Sequence, residues 1–420
     1  MELARGTRKT SKVVLEDVIN SMPDNVVTNI LDRLPIQHAV RTAILSRKWR
    51  FKWTMLTHIV FDKMFYEYLV GLGFENWYKV KNIISRLLLH LKGPITRFVL
   101  YIPDKVFDVE DINSWIMFLS RKRVKELTLK NRHGTPLNLS IHIFSCAELE
   151  NLTLRNCSLR IPPTFCGLPN LLCLELHRVA FENASLGKIL IQSPLLEILK
   201  FGRRDRVGKI KLVEITKLKN LKQLYLPLCF LDHKAITSCL IVDLGSCLPN
   251  LQLLYLDFQN SQFLGNLVGR KRVSTSFPSL EILILHQIDF SSKIELLLAS
   301  ELICYSPKLQ TLEISAKLNA AVPPPANFVC TPTNFSSELN DIQLGVAQLR
   351  KAVLPFFQGS ENEMLLIKKL LAGSPSLKKI YIHPKSDEVF SDDKGKLMVA
   401  TKLLKFYRAS PTAEVEIYWS

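Results

Sequence analysis

The sequence predicts an α/β protein in which a small helical unit precedes a solenoid of short parallel strands. Three observations support this fold class. An apolar pattern of the Leu-x-Leu type recurs from about residue 95 onward, proline tags precede several of its copies, and residues 17 to 53 show helical spacing. With 420 residues, 47% of them hydrophobic, the chain is long enough to bury a large core.

The recurring pattern is the signature of a leucine-rich repeat. Its two complete copies are Leu149-Leu152-Leu154-Cys157-Leu159 and Leu221-Leu224-Leu226-Cys229-Leu231, and further copies begin at residues 95, 124, 171, 196, 251, 280 and 309. Each Leu-x-Leu should form a strand that sends alternate side chains inward, and repeats must stack because one repeat cannot hide its apolar face. We therefore predict an irregular solenoid over residues 95 to 315, with a curved, mainly parallel sheet and a helical convex side.

Prolines support this register and mark where it stops. Tags such as Leu168-Pro169-Asn170 and Leu248-Pro249-Asn250 end one convex segment and set an extended start for the next strand. After Ile314 the rhythm breaks, and proline-rich, polar sequence predicts a loop over residues 316 to 340. Helical spacing at 362–371 and strand patterns at 377–382 and 415–419 then predict an α/β cap over residues 341 to 420.

The N-terminal unit has the pattern of three short helices. Pro23 and Asp24 open the first helix, and Pro35 ends it. A second helical run covers residues 39 to 44, and a third begins at Leu45-Ser46 and carries Trp49 and Trp53. So small a unit must bury its remaining apolar face, either against the solenoid as a cap or against a partner protein. A docking module needs that face free, whereas a cap needs it buried.

Three blocks of this unit resemble the F-box of plant F-box/leucine-rich-repeat proteins in sequence and spacing. They are DVINSMPD at 17–24, ILDRLP at 30–35 and LSRKWR at 45–50. The segment from Lys351 to Val415, with Arg408-Ala409-Ser410-Pro411 at its centre, is similar to the FBD segment of that family. The resulting division is a basic N-terminus at 1–14, an F-box at 15–55, a helical connector at 56–94, repeats at 95–315, a linker at 316–340 and an FBD-like cap at 341–420.

The resemblance implies a substrate-recruiting subunit of a ubiquitin ligase. The F-box would bind an SKP-type linker protein, and through it cullin and RING subunits, while the repeats recruit an unknown target protein. Met22 stands where the family usually has Leu, and Ala43 where Ser is common, but linker binding should tolerate both changes. Carried over position by position, the linker contacts are Met22, Pro23, Val26, Ile30, Leu31, Leu34, Pro35, Leu45, Ser46 and Trp49.

Catalytic chemistry is not expected from this sequence. It contains no P-loop, HExxH, GxSxG or metal-cluster spacing, and His177 and His286 have no nucleophile or carboxylate at a motif spacing. We assign no catalytic, metal or cofactor residue. The alternative to a ligase adaptor is a ligase-independent scaffold or receptor built on the repeats. In either case target contacts should come from variable positions beside the strands, such as Thr153, Glu175, Tyr225, Tyr255 and Glu281.

The charge and cysteine content limit the partners. A net charge of +17 favours acidic proteins, nucleic acid or anionic surfaces, but no aromatic-interleaved basic motif supports direct nucleic-acid recognition. The basic runs at 203–206 and 269–272 fit an acidic or inositol-phosphate-like ligand and equally fit solvated loops. Nine cysteines without a CxxC pair, no apolar signal segment in residues 1–12 and no bilayer-length stretch indicate a reduced, soluble protein of the nucleus or cytoplasm, with no membrane partner.

Overall fold

The structure is a computed structural model that describes residues 21–74, 76–103, 108–182, 186–202, 211–231, 240–259, 276–317, 344–384 and 393–419. Several sequence predictions fall outside these residues. They concern the basic N-terminus at 1–14, the start of the first F-box block at 17–20, the basic runs at 203–206 and 269–272, and all but the first two residues of the predicted linker at 316–340.

The N-terminal unit is helical, as predicted, but only its first two elements contain α-helix. Helix α1 spans Asp24–Leu31 and α2 spans Ile36–Arg41, each directly after a proline. A 3₁₀ turn over Thr42–Ile44 extends the second run, and the third helix, Trp49–Met55, is 3₁₀ throughout. Trp49 is buried in the core and Trp53 is partly buried against it, so both side chains of this helix pack inward.

The predicted helical connector holds two helices and also the first strand of the solenoid sheet. Strand β1 spans His58–Phe61 and pairs in parallel with β2, Arg97–Ile102. Helices α3, Lys63–Gly71, and α4, Trp77–His90, form the crossover between them. The sheet thus begins at residue 58 and not near residue 95. The repeat pattern did not predict the HIVF strand because Ile59 and Phe61 stand there in place of the two leucines of Leu-x-Leu.

Thirteen parallel strands in the described residues form one large sheet. Each of the nine predicted repeat copies supplies a strand that begins two residues after its first apolar position, so the predicted solenoid is confirmed. Beyond β1 and β2, the strands in spatial order are β3 (Glu126–Asn131), β5 (Asn151–Arg155), β7 (Cys173–His177), β9 (Ile198–Phe201), β10 (Gln223–Pro227), β11 (Leu253–Asp257), β12 (Ile282–Ile288), β13 (Thr311–Ala316), β14 (Lys351–Phe357), β15 (Lys379–Pro384) and β16 (Glu414–Ile417).

The register of the sheet explains why leucine alternates along each strand. Leu127, Leu152, Leu174 and Leu199 are successive register partners, and all four are buried. The intervening residues, such as Thr128, Thr153 and Glu175, face the other side of the sheet and stay partly exposed. Because a strand alternates its side chains with period two, one side of the sheet is core and the other is a continuous solvent-facing surface, the sheet face.

A second, three-stranded parallel sheet lies in the first repeats, and helices cover the convex side. Its strands are β4 (Leu137–Leu139), β6 (Cys157–Leu159) and β8 (Ala180–Phe181). Cys157, the cysteine of the first complete repeat copy, is fully buried there. The convex helices are α5 (Val109–Leu119), α6 (Gly187–Ile191), α7 (Leu212–Ile215), α8 (Leu240–Cys247), α9 (Lys293–Cys304), α10 (Glu361–Gly373) and α11 (Asp393–Leu404).

The C-terminal segment is the predicted α/β cap, and its strands extend the large sheet of the repeats. Strand β14 pairs with β13, and β15 and β16 follow in the same parallel register. Ser360 caps helix α10 in a capping box with Glu363. The sequence from residue 395 predicts a helix that ends at Ser410-Pro411, but helix α11 ends at Leu404, six residues earlier.

Candidate partner-binding surfaces

The N-terminal unit packs against the solenoid with one side only. Val27, Leu31, Ile36, Ala39 and Trp49 are buried and belong to the same apolar core as the strands of the large sheet. Buried residues on a unit this small supply most of its stability, since its own interior is only a few side chains deep. The unit therefore folds as part of the solenoid end and covers the edge at β1.

Asp32 ties the end of α1 to the first strand of the sheet. Its Oδ1 atom accepts the backbone N–H groups of Thr57 at 2.9 Å and His58 at 3.1 Å, and its Oδ2 accepts the Thr57 hydroxyl at 2.7 Å. Three hydrogen bonds to one carboxylate satisfy donors at the start of an edge strand that would otherwise face solvent. Asp32 thus fixes the orientation of α1 relative to the solenoid.

The opposite side of the unit is apolar and open. Val26, Ile30 and Leu34 are each 39–40% exposed, although their neighbours Val27 and Leu31 are buried. Spacing of four residues places Val26 and Ile30 on one stripe of α1, and Leu34 follows just beyond the helix end. We call the exposed apolar side chains of this unit the F-box surface, and its members are Val26, Ile30, Leu34, Ile44, Leu45, Phe51 and Met55.

Eight of the ten predicted linker contacts reach the surface. Pro23, Val26, Ile30, Leu34, Pro35 and Leu45 are exposed, while Met22 and Ser46 are half-buried. Leu31 and Trp49 are buried, so their direct contact role is corrected: they support the surface from behind. Ser46 Oγ accepts the Trp49 N–H at 3.3 Å and opens the third helix.

Sequence reasoning missed three large members of the F-box surface. Ile44 is 82% exposed, Phe51 is 62% exposed, and Met55 is also exposed. All three lie in or beside 3₁₀ segments, where the 3.6-residue spacing used to assign faces does not apply. The only signal in the sequence is that three large apolar residues fall within twelve positions in a unit too small to bury them.

The sheet face presents polar side chains in rows that follow the register. The Tyr225 and Tyr255 rings stack at 5.6 Å, and the Tyr255 and His286 rings at 6.1 Å. Lys200 lies over Tyr225 and also contacts Glu175 at 2.7 Å. Of the predicted target-facing positions, Thr153, Glu175, Tyr225 and Tyr255 therefore share one surface, and Glu281 precedes β12. Stacked tyrosines next to paired charges are suited to protein recognition.

Two histidines on this side lie closer to carboxylates than the sequence spacing indicated. His286 Nδ1 is 3.5 Å from Asp257 Oδ1, across neighbouring strands, and His177 Nε2 is 4.0 Å from Glu175 Oε2. Within the described ranges, no serine, threonine or cysteine side chain hydrogen-bonds to either ring. Neither pair therefore has the arrangement of an acyl-transfer triad.

Other chemistry in the described part of the chain is limited. The described residues hold no group of three or more His, Cys, Asp or Glu side chains placed to bind a metal ion. In the same ranges, no helix is both long and apolar enough to span a bilayer. Burial raises the pKa of the Cys157 thiol to about 12, which keeps it protonated and unreactive at neutral pH.

Two segments of the chain match the sequence profiles of known families. The F-box domain profile matches residues 19–59, and the profile of the LRR repeats of the FBD-associated F-box protein At5g56370 matches residues 112–219. The F-box/FBD/LRR-repeat protein At1g13570 of Arabidopsis thaliana is 29% identical over 427 aligned positions, which cover 95% of this chain and 98% of that protein. The FBD-associated F-box protein At4g10400 of the same plant is 32% identical over 47% of this chain and 48% of its own length.

Solved leucine-rich-repeat structures are more distant. The Leptospira interrogans LRR protein LIC12759 aligns with 79% of this chain and 85% of its own, at 19% identity and a TM-score of 0.29. The LRR ectodomain of the Arabidopsis receptor kinase GASSHO1/SCHENGEN3 aligns with 79% of this chain and 36% of its own, at 12% identity and a TM-score of 0.35. The two sequence profiles, in contrast, match the N-terminal unit and the repeats, the segments in which the sequence predicted an F-box and leucine-rich repeats.

Proposed function

We propose that this chain, which belongs to the plant family of F-box/FBD/leucine-rich-repeat proteins, is the non-catalytic substrate-recognition adaptor of an SKP–cullin–F-box ubiquitin ligase. In this proposal the F-box surface binds an SKP-type linker, and the linker brings the cullin and RING subunits. The sheet face holds the target protein. The adaptor acts in the nucleus or the cytoplasm.

The observation that carries the proposal is the split burial of α1. Val27 and Leu31 are buried against the solenoid, but Val26, Ile30 and Leu34 remain about 40% exposed on the other side. A module that served only as a cap would bury its apolar residues inward and leave polar residues outside. An open aliphatic stripe on a helix fits the helix-in-groove mode of protein recognition.

The proposed mechanism requires no reactive group in this chain. Binding the linker and the target at once raises the effective concentration of target lysines near the ligase. Asp32 and the shared core hold the F-box surface in a fixed orientation to the sheet face. A fixed geometry supports this role because a loosely hinged adaptor would dilute the gain in effective concentration.

The alternative, a ligase-independent scaffold, also has an observation in its favour. The buried half of the N-terminal unit does cover the β1 edge, as a cap must. The two functions differ in what the open half does, and only the adaptor requires it.

The test is ubiquitin transfer in a system reconstituted from the linker, cullin, RING subunit and the activating and conjugating enzymes, with ubiquitination of the chain itself as the readout. The variant Ile30→Asp/Leu34→Asp places two charges on the F-box surface. The matched control Met64→Asp/Leu89→Asp changes two residues that are 66% and 75% exposed on α3 and α4. We expect wild type and control to be ubiquitinated and the first variant not to be. No modification of any of the three proteins would support the scaffold, and equal modification of all three would exclude Ile30 and Leu34 from linker docking.

A further inference from the structure

Ion pairs join neighbouring repeats along the large sheet, either on the sheet face or at the residue directly before a strand. Each basic residue of these pairs meets a carboxylate from the next or preceding repeat, or from the strand beside it. The pairs and their N–O distances are Arg97–Glu126 at 3.2 Å, Lys125–Glu150 at 2.7 Å, Lys200–Glu175 at 2.7 Å, Lys222–Glu197 at 2.8 Å and Lys379–Glu416 at 2.6 Å. In each of these pairs a positive charge of one repeat is balanced by a negative charge of another.

One row breaks this pattern. Lys130, Arg155 and His177 are register partners at the carboxyl ends of β3, β5 and β7, and we call them the basic row. Lys130 and Arg155 are exposed, and neither side chain makes a hydrogen bond or ion pair in the described structure. Adjacent strands lie about 4.8 Å apart, so two like charges stand side by side without a counter-charge. Glu175, whose Oε2 lies 4.0 Å from His177 Nε2, is already bonded to Lys200 through Oε1.

The charges of the basic row act together at His177. Burial lowers the pKa of His177, and the positive charges of Arg155, Lys130 and Lys200 lower it further, while Glu175 opposes them. Three cations thus lower the pKa of the His177 imidazole, and the Glu175 carboxylate raises it. The row is a local excess of positive charge on a face that is otherwise balanced.

The backbone behind the basic row is held rigidly. Asn131 and Asn156, which directly follow Lys130 and Arg155, are buried, and Asn131 Nδ2 donates to the Asn156 carbonyl at 3.0 Å. The Asn156 N–H donates to the His177 carbonyl at 2.7 Å. At the end of the row His177 lies over Gly202, where a Cβ atom would come within 2.3 Å of the ring. Fixed supports reduce the entropy lost when a ligand binds.

We propose that the basic row binds the anionic side chains, carboxylate or phosphate, of an acidic segment of the target protein. This inference rests on the proposed function and names the chemistry of the target. A protein segment fits better than nucleic acid because the row spans only three strands, and Glu126 and Glu175 lie on the same face beside it. A polyanionic backbone running past the row would meet these carboxylates.

The test measures binding of fluorescein-labelled peptides to the full chain by anisotropy at low salt. The probes are octaglutamate, a phosphoserine peptide of equal charge and a single-stranded oligonucleotide. The variant Lys130→Gln/Arg155→Gln removes the unpaired charges. The matched control Lys125→Gln/Lys222→Gln removes two charges that directly precede β3 and β10 and are paired with Glu150 and Glu197. Both variants lose the same net charge, so general attraction by a basic protein affects them equally.

We expect the basic-row variant to weaken binding of one or both acidic peptides about fivefold and the control to weaken it less than twofold. A preference for the phosphoserine or the glutamate peptide identifies the anion. Equal losses in both variants, no peptide binding by wild type, or an oligonucleotide that depends on the row more than the peptides do would each overturn the inference. Linker binding, measured on the same proteins, should be unchanged. If wild type fails to bind the linker, the proposed function fails while the peptide result stands by itself.

Discussion

The F-box surface and the sheet face leave different chemistry uncovered. The F-box surface exposes aliphatic and aromatic side chains such as Ile30, Leu34 and Phe51, whereas the sheet face exposes charges that are mostly matched within the chain. Apolar burial gives affinity with little discrimination, while charges and their register give specificity. The apolar F-box surface therefore suits a constant partner, the linker, and the charged sheet face suits a variable partner, the target protein.

Substitutions at two neighbouring residues of α1 should separate the role of its buried side from that of its open side. Leu31→Asp places an unpaired charge in the core and should cost about 4 kcal/mol of folding stability. Ile30→Asp, one position earlier and 40% exposed, should change stability by about 0.5 kcal/mol and yet weaken linker binding. Thermal unfolding and linker binding measured together decide the point. Equal destabilisation by the two changes would mean that the two sides of α1 are not distinct.

A pH change should affect the convex side far from the F-box surface. Burial raises the pKa of Glu363 to about 7, although N–H groups of Ser360 and Gln358 and the Ser360 hydroxyl oppose it. Glu363 is then protonated in the folded chain below pH 7, whereas the unfolded chain ionises near 4.5. Its contribution is complete below the unfolded pKa and is lost as pH rises through the folded one, by about 3 kcal/mol.

Urea unfolding at pH 4 and pH 8, for wild type and Glu363→Gln, measures this effect. Wild type should lose stability between the two values relative to the variant, and hydrogen exchange should place the loss in α10. Parallel pH profiles for the two proteins would contradict the assignment to Glu363.

The link between the two surfaces depends on Asp32. Asp32→Ala removes three hydrogen bonds to Thr57 and His58 and should cost about 2 kcal/mol of local stability. Asp32→Asn keeps Oδ1 for the two N–H donors and offers an amide to the Thr57 hydroxyl, so it should stay near wild type. Amide exchange at residues 57–61 reports the difference. Exchange in the alanine variant as slow as in wild type would exclude Asp32 as the connection.

The smallest effect on folding stability is expected from the ion pairs that join neighbouring repeats. Lys222→Gln breaks a 2.8 Å contact with Glu197 that is open to solvent, and it should cost about 0.5 kcal/mol, less at high salt. Thermal unfolding at two ionic strengths measures it. A loss as large as that of Asp32→Ala would show that these pairs hold the solenoid together and do not merely balance its face.

The repeats were predictable because Leu-x-Leu encodes both the strand and its buried side. Nine apolar patterns predicted nine strands, and Leu152 and Leu154 are buried as the alternation requires. The HIVF strand at 58–61 was missed because β-branched and aromatic residues replace leucine and two helices follow it. Strands β15 and β16 were predicted at 377–382 and 415–419, whereas β14 was missed, and a pattern of single strands does not reveal that all three share the sheet of the repeats.

The candidate sites were less predictable than the fold. The helical spacing of Val26, Val27, Ile30 and Leu31 in the sequence predicts one common apolar face, but the structure divides them into two open and two buried side chains. Which half faces the solenoid depends on contacts with the 3₁₀ helix Trp49–Met55 and with the start of β1 that no local pattern contains. The basic row was invisible for the same reason, because Lys130, Arg155 and His177 are more than twenty residues apart from one to the next and meet only through the register.

The shared core also changes how the F-box must be tested. Deletion of residues 17–53 would remove Val27, Leu31, Ile36 and Trp49 from the core and uncover β1. Loss of target binding in such a truncation would then reflect damage to the solenoid. Point changes on the open side avoid this difficulty because they leave the buried half in place.

The most direct test of the central claim is a calorimetric titration of the chain with a purified SKP-type linker. Wild type and Met64→Asp/Leu89→Asp should form a one-to-one complex, and Ile30→Asp/Leu34→Asp, with an unchanged unfolding temperature, should bind about a hundredfold more weakly. No binding by wild type, or equal binding by both variants, would contradict the claim that the open apolar side of the F-box is the docking surface.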